Sequence, residues 1–306
     1  MSAPLLDYLP GKDSFLDPLR ADAEDPASAR CVVIPFGLEA SVSYGSGTAA
    51  GPQAIMAASQ QLELYDPEFG REVYADYGIA AIREPNIAPA LPEALDQLEG
   101  LVEAVLQAGK VPFVLGGEHS LTAGAIRPFA RRYKDLVVLQ FDAHADLRDG
   151  YQGHHFSHAS AMRRVLDHPG VSLVSVGIRA VSTPEVEFYE ANRDRISIHW
   201  GRDQARWSIE EILAPLKGRP VYITFDIDGL DASIMPATGT PTPEGLSFPL
   251  ANEILRRACA TAGQVVGADL VEFAPIEGLH AYDFTAALLA YRMLSHALGR
   301  GADVRR

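Results

Sequence analysis

The stretch LVVLQFDAHADLRD (136–149) decides how the rest of the chain is read. Its first six residues are almost wholly apolar, as expected of a strand buried on both faces in a parallel sheet covered by helices. The polar residues that follow break that run at once. In an extended segment Asp142, His144 and Asp146 point to one side, with successive side chains about 6.6 Å apart at roughly 3.3 Å rise per residue.

Working outward, the same grammar recurs. Short apolar runs at 31–36, 73–79, 111–115, 136–141, 171–176, 196–200, 221–225 and 265–271 read as strands. Helical patterns fall between them at 52–64, 91–108, 121–133, 159–166, 184–193, 209–216 and 250–262, with a last one at 284–298. This alternation predicts a doubly wound α/β sheet. Ligands of such sheets bind beyond the carboxyl ends of the strands. GGEHS (116–120), DAHAD (142–146), DID (226–228) and VEFAP (271–275) all fall at those ends.

His119, Asp142, His144, Asp146, Asp226 and Asp228 are therefore the candidate metal ligands. The 142–146 row is long enough to straddle two ions about 3.5–4 Å apart, the spacing of binuclear hydrolytic sites. Asp226 and Asp228 read as a second row with the same alternation. Four carboxylates offset the charge of two divalent ions, and without cations so much negative charge at one rim would be hard to hold together. Oxygen-rich donors with some imidazole suit Mn(II) better than the cysteine-rich sets of structural zinc. The competing reading is of ordinary polar loops whose aspartates cap helices. It must explain three such clusters at equivalent strand ends.

The composition fits a soluble enzyme: of 306 residues, 47% are hydrophobic and 22% charged. With no linker, repeat or low-complexity tract, residues 31–306 read as a single domain behind an N-terminal extension, 1–30. The net charge of −14 argues against a nucleic-acid partner and suits a small cationic one. Two cysteines, Cys31 and Cys259, read as buried free thiols in a reducing compartment. No stretch approaches the roughly 20 apolar residues needed to span a bilayer, so no membrane partner and a cytoplasmic location are expected.

With these clusters in order, the chain resembles the ureohydrolase family, which includes arginases and agmatinases. SYGSGTAAGPQAI (43–55), GGEHS, FDAHADLRD (141–149), GIRAVSTPE (177–185), TFDIDGLDASIMPATGTP (224–241) and VEFAP carry the resemblance. It implies a three-layer α/β/α, arginase-like fold with an eight-stranded parallel sheet, two Mn(II) ions and hydrolysis of a guanidino group to urea and an amine. It also implies that His119 and Asp146 hold one ion, His144 and Asp228 the other, with Asp142 and Asp226 bridging. Glu272 matches the residue that orients the guanidinium, and His158 is the best candidate to relay a proton to the leaving amine, with His154 and His155 as alternatives nearby. His158 could instead cap the helix after it. Asp231 is expected to shape the turn rather than bind metal, and the glycines of 43–52 to form a tight loop rather than a phosphate cradle.

This chain departs from the family pattern at Ala232, Ala237 and Glu244, none of them a ligand. Arg148 and Ala180 stand where arginases hold partners of the amino-acid head of arginine, which points away from arginine. The run 146–164 resembles a prokaryotic agmatinase-like branch, so agmatine, yielding urea and putrescine, is the expected substrate. Arg148 could pair with Asp149 and face solvent, or favour an acidic substrate. Guanidinobutyrate, guanidinopropionate, guanidine and formiminoglutamate are the alternatives within the family. A one-metal zinc deacetylase and a non-catalytic homologue are alternatives outside it. The resemblance also implies a homo-oligomer, trimer or hexamer, to whose packing apolar residues of the first thirty positions could contribute.

Overall fold

Alternate residues of the first strand face opposite layers, as the period of an extended chain requires. Within β1 (Cys31–Phe36), Cys31 and Val33 pack into one apolar cluster, and Val32, Ile34 and Phe36 into another. The computed structural model describes residues 6–299. Seven more strands complete one parallel sheet: β2 (Ile79–Ala81), β3 (Val111–Gly116), β4 (Val137–Phe141), β5 (Ser172–Ile178), β6 (Ile196–Trp200), β7 (Pro220–Asp226) and β8 (Gln264–Val271). Their lateral order is β2-β1-β3-β8-β7-β4-β5-β6.

Helices cover both faces. On one side lie α1 (Gly51–Ser59), α7 (Ile209–Leu213), α8 (Phe248–Thr261) and α9 (Ala281–Leu298). On the other lie α2 (Leu91–Gln107), α3 (Thr122–Ala125), α4 (Arg127–Arg132), α5 (Ala161–Val165) and α6 (Thr183–Ala191). The expected three-layer α/β/α architecture with eight parallel strands is therefore observed. Its consequence for function lies in the lateral order. The four central strands β3, β8, β7 and β4 are far apart in sequence, and they carry GGEHS, VEFAP, DID and DAHAD at their carboxyl ends.

Several expected elements change form for local reasons. The strand expected at 73–79 begins only at Ile79, because Val73–Asp76 is a turn of 3-10 helix. Its end is closed by Gly78, whose φ of +63° lets its N–H reach the carbonyl of Tyr74 at 2.7 Å. The helix expected at 121–133 is split into α3 and α4, since Pro128 has no N–H to continue the ladder. Pro215 likewise stands where α7 gives way to a 3-10 turn, Ala214–Leu216.

The described part of the N-terminal segment packs on its own domain. Phe15 and Leu16 are wholly buried, and Leu9 N–H donates to the carbonyl of Ala81 on β2 (2.9 Å). Arg20 is buried among carbonyls, donating to Phe15 (2.6 Å) and Ile79 (2.7 Å). Leu19 is 90% exposed, so it remains available to a neighbour. Both cysteines are free, Cys31 buried and Cys259 partly so.

Where β3 runs out, the backbones of Gly117 and Leu38 touch. A Cβ on Gly117 would stand 2.0 Å from the carbonyl oxygen of Leu38 and 2.7 Å from its nitrogen. Backbone atoms cannot step aside as a flexible side chain does. Gly117→Ala should therefore lower unfolding free energy by about 1–3 kcal/mol, the usual range for overpacking. Urea titration checks this, and an unchanged midpoint would show that the close approach carries no constraint.

Candidate metal centre

The two polar rows do not continue as strands. β4 ends at Phe141, and the chain then curls: His144 N–H donates to Asp142 Oδ1 (2.6 Å), and Asp146 adopts a left-handed φ of +53°. After Asp226 the backbone likewise turns into a 3-10 turn, Ile227–Gly229, with Asp228 N–H on Asp226 Oδ1 (2.9 Å). The extended alternation expected for both rows is thus corrected. Tight turns replace it because each aspartate caps the backbone N–H two residues on. The side chains end closer together than a pleated row would put them.

His119 Nδ1 lies 3.0 Å from Asp146 Oδ2, 3.2 Å from Asp142 Oδ2 and 3.4 Å from Asp226 Oδ2. His144 Nδ1 lies 3.0 Å from Asp228 Oδ2 and 3.6 Å from Asp142 Oδ1. The donor atoms of His119, Asp142 and Asp146 fall within 4.8 Å of one another, as do those of Asp142, His144 and Asp228. Asp142 belongs to both groups, one oxygen toward each. Asp226 touches the first. All six residues expected to bind metal converge.

The donor set fits a pair of divalent cations. His119 Nδ1 is buried and makes no hydrogen bond, although three carboxylate oxygens surround it. Its Nε2 lies 2.8 Å from Thr224 Oγ1. With Nε2–H donating there and an ion bound, Nδ1 would present its lone pair to the cluster, as a ligand nitrogen must. Charge makes the same point. Burial, then Asp228 and Asp142, drive the Asp226 carboxyl well above its ordinary range. Burial opposes charge on His119 and His144 too, yet the facing carboxylates hold both rings far above the usual imidazole value. Cations would take over the role that shared protons play here.

A polar row lies one layer below the candidate ligands. Asp269, Thr224, Gln140 and Ser175 are in register across β8, β7, β4 and β5. Gln140 Nε2–H donates to Asp142 Oδ2 (2.8 Å) and to the carbonyl of His144 (3.1 Å), while its Oε1 accepts from Ser175 Oγ (2.6 Å). Asp269 accepts from Tyr222 Oη (2.8 Å) and Thr122 Oγ1 (2.9 Å). Arg179 holds the turn after Asp228, donating to the carbonyls of Asp228 and Thr242, each at 2.7 Å. In the sequence only Gln140 and Thr224 carry a signal of this row, each a polar residue two places before Asp142 or Asp226 and on the same strand face.

Glu272 and His158 line the cleft above this centre, with Asp146, Asp226, Asp228 and Arg148. Glu272 has a φ of +63°, a conformation costly for a side-chain residue. Its Oε1 accepts from His119 N–H (2.6 Å), and burial raises its carboxyl above the ordinary range. His158 opens a 3-10 turn, His158–Ser160, ahead of α5. Its ring meets Ser41 Oγ at Nδ1 (3.2 Å) and Ser43 Oγ at Nε2 (2.8 Å), two contacts not foreseen from sequence. Burial pulls it down to about 4, so the ring is neutral near pH 7. His154 and His155 do not line the cleft: His155 Nδ1 lies 2.6 Å from Arg164, and His154 pairs by backbone with Tyr151.

Arg148 does not pair with Asp149, which is bound by Arg164 (2.8 Å). It lies 3.8 Å from Glu185 and over the ring of Tyr151, 4.9 Å from its centre. Asp231 ties the turn, its oxygens accepting from Ser233 N–H (2.9 Å) and Gly245 N–H (2.8 Å). Glu244 takes a φ of +64°, a shape that glycine adopts without strain. In the 43–52 loop, Glu39 caps the N–H groups of Gly47 (2.8 Å) and Ala49 (2.9 Å), so the chain's own carboxylate fills that cradle.

Comparison with known proteins agrees with this geometry. The Arginase family model matches residues 29–299. The chain is 37% identical to an N(1)-aminopropylagmatine ureohydrolase of Synechocystis sp., covering 88% of this chain and 90% of that one. It is 36% identical to an agmatinase of Bacillus anthracis, over 82% and 86% of the two chains. Among solved structures, the agmatine ureohydrolase of Thermoplasma volcanium superposes with a TM-score of 0.80 at 32% identity, over 90% and 93% of the chains. The chain belongs to the arginase family of ureohydrolases, hydrolases that act on guanidino C–N bonds.

Proposed function

We propose that this enzyme is an agmatinase, hydrolysing agmatine to urea and putrescine with two Mn(II) ions. His119 and Asp146 would hold one ion and His144 and Asp228 the other, with Asp142 and Asp226 between them. The observation that carries this reading is Asp142, whose two oxygens face two separate histidines. A protonated guanidinium is a poor electrophile, its pKa lying above about 12. Bound ions would supply what it needs, a water acidified to a pKa of roughly 7 and so able to attack as hydroxide.

The chain's own residues do the rest. Glu272 has Oε1 fixed by the His119 N–H and so keeps Oε2 for the guanidinium. Burial raises this carboxyl, but a guanidinium beside it would favour the ionised form, which would both orient the cation and offset its charge. His158 stands on the same wall with a neutral ring, placed to carry a proton between solvent and the departing amine. A cytoplasmic homo-oligomer accompanies this reading, and the exposed apolar residues Ile276, Leu279 and Phe284 are available to such an assembly.

Two observations favour neighbouring substrates. The identity to the Synechocystis protein favours N(1)-aminopropylagmatine, the same guanidine on a longer amine tail. The Arg148 cation in the cleft favours an acidic tail such as guanidinobutyrate.

Urea release from these three guanidines should be fastest with agmatine, and no turnover of agmatine would overturn the assignment. Asp142→Ala should lose both ions by elemental analysis; retention of two would remove the bridging role. Glu272→Gln should keep both ions while kcat/KM falls about 10–100-fold, the loss expected of one charged hydrogen bond. His158→Ala should also keep both ions, with kcat reduced about 100-fold or more.

A further inference from the structure

We propose that Glu118, acting through Ser41, holds His158 as the tautomer protonated on Nδ1, leaving the Nε2 lone pair facing Ser43 on the cleft wall. The inference rests on the reading of His158 as proton relay, and it makes Glu118 and Ser41 positioning residues.

The argument is one of hydrogen-bond direction. Glu118 is fully buried. Its Oε2 accepts from the N–H groups of Ala40 (2.5 Å) and Ser41 (2.6 Å). Its Oε1 accepts from the hydroxyls of Ser41 (2.8 Å) and Ser120 (2.5 Å). Four donors fill the four lone-pair positions of a carboxylate. The Ser41 hydroxyl hydrogen is thereby committed to Glu118, and Ser41 Oγ can only accept from its other neighbours. Those are the His158 N–H (3.0 Å) and His158 Nδ1 (3.2 Å). Nδ1 must then carry the hydrogen; Ser157 Oγ stands farther from it, at 3.4 Å.

A neutral imidazole has one hydrogen to place, so Nε2 is bare. It accepts from Ser43 Oγ at 2.8 Å. Ser43, His158 and Glu272 line one cleft. The Tyr151 ring, nearly perpendicular to the imidazole at 6.0 Å between centroids, lines the same cleft. A proton taken up at Nε2 from solvent and handed to the leaving amine returns the ring to its starting tautomer. The opposite tautomer would offer the cleft an N–H in place of a lone pair and could not begin that cycle.

Neutron diffraction from the Mn(II)-loaded protein at neutral pH should place deuterium on His158 Nδ1 and none on Nε2. Deuterium on Nε2 overturns the proposal whatever the kinetics. In solution, Ser41→Ala keeps the backbone donors to Glu118 and removes only the hydroxyl. It should lower kcat about tenfold, the worth of one hydrogen bond, with KM within about twofold. Glu118→Gln is the second variant. Its amide must turn NH2 toward Ser41, releasing the hydroxyl hydrogen toward Nδ1, and kcat should fall comparably with two ions still bound. Wild-type kcat in both variants, alongside a slow His158→Ala, sinks the positioning role alone. A His158→Ala enzyme as fast as wild type sinks the relay reading instead, and the neutron map then decides the tautomer by itself.

Discussion

Asp142, Asp146, Asp226 and Asp228 are buried within reach of one another, and like charges held so close repel strongly in a medium of low polarity. Nearly every polar feature of the central sheet bears on that repulsion. Two imidazoles stand between the carboxylates. Backbone N–H groups of Ala143, His144 and Asp228 are each turned onto an aspartate oxygen. What remains is a cluster with an excess of acceptors, three of them crowded around His119 Nδ1. Such a cluster is stable in the folded chain when cations, or failing them protons, sit inside it.

Holding the cluster in shape requires polar groups where a parallel sheet is ordinarily apolar. The row Asp269, Thr224, Gln140 and Ser175 does this across four adjacent strands. Gln140 and Thr224 each stand two residues before a candidate ligand, Asp142 and Asp226, on the strand face that side-chain alternation gives them. Gln140 reaches up to Asp142 and Thr224 to His119, so two candidate ligands are oriented from below by buried side chains. The left-handed backbone of Asp146 and Glu272 completes the arrangement from above. Strain of this kind persists only where surrounding contacts over-determine it.

Much of this was legible in the sequence. The apolar runs located seven of the eight strands within a residue or two, since parallel strands buried on both faces leave an unbroken signal. The strand at 79–81 was misjudged because Val73 and Tyr74 are apolar yet sit on a helical turn closed by Gly78. Periodicity saw their burial and could not see the turn. The six ligand candidates were readable as residue types at strand ends. The turns that bring them together were not, because capping of a backbone N–H by Asp142 or Asp226 leaves no mark in apolar periodicity. Glu118, within GGEHS, carries no sign of its role in the residues around it. Its partners Ala40 and Ser41 lie nearly eighty residues earlier, and a hydrogen bond across that distance has no local signature.

The lateral order of the strands carries a consequence for how the chain comes to be folded at all. β3 and β8, neighbours in the sheet, are separated by roughly 150 residues of sequence, and the centre draws on strand ends at residues 116 through 272. Contacts of such long range form late and slowly, because loop-closure entropy must be overcome before any pairing compensates for it. No fragment that stops short of β8 contains the whole site. During synthesis the candidate ligands after β4 and β7 emerge before β8, the strand that lies between β3 and β7 in the finished sheet. Metal capture in the mature geometry, as proposed above, would therefore report topological completion, since the donor set comes together only in the finished sheet.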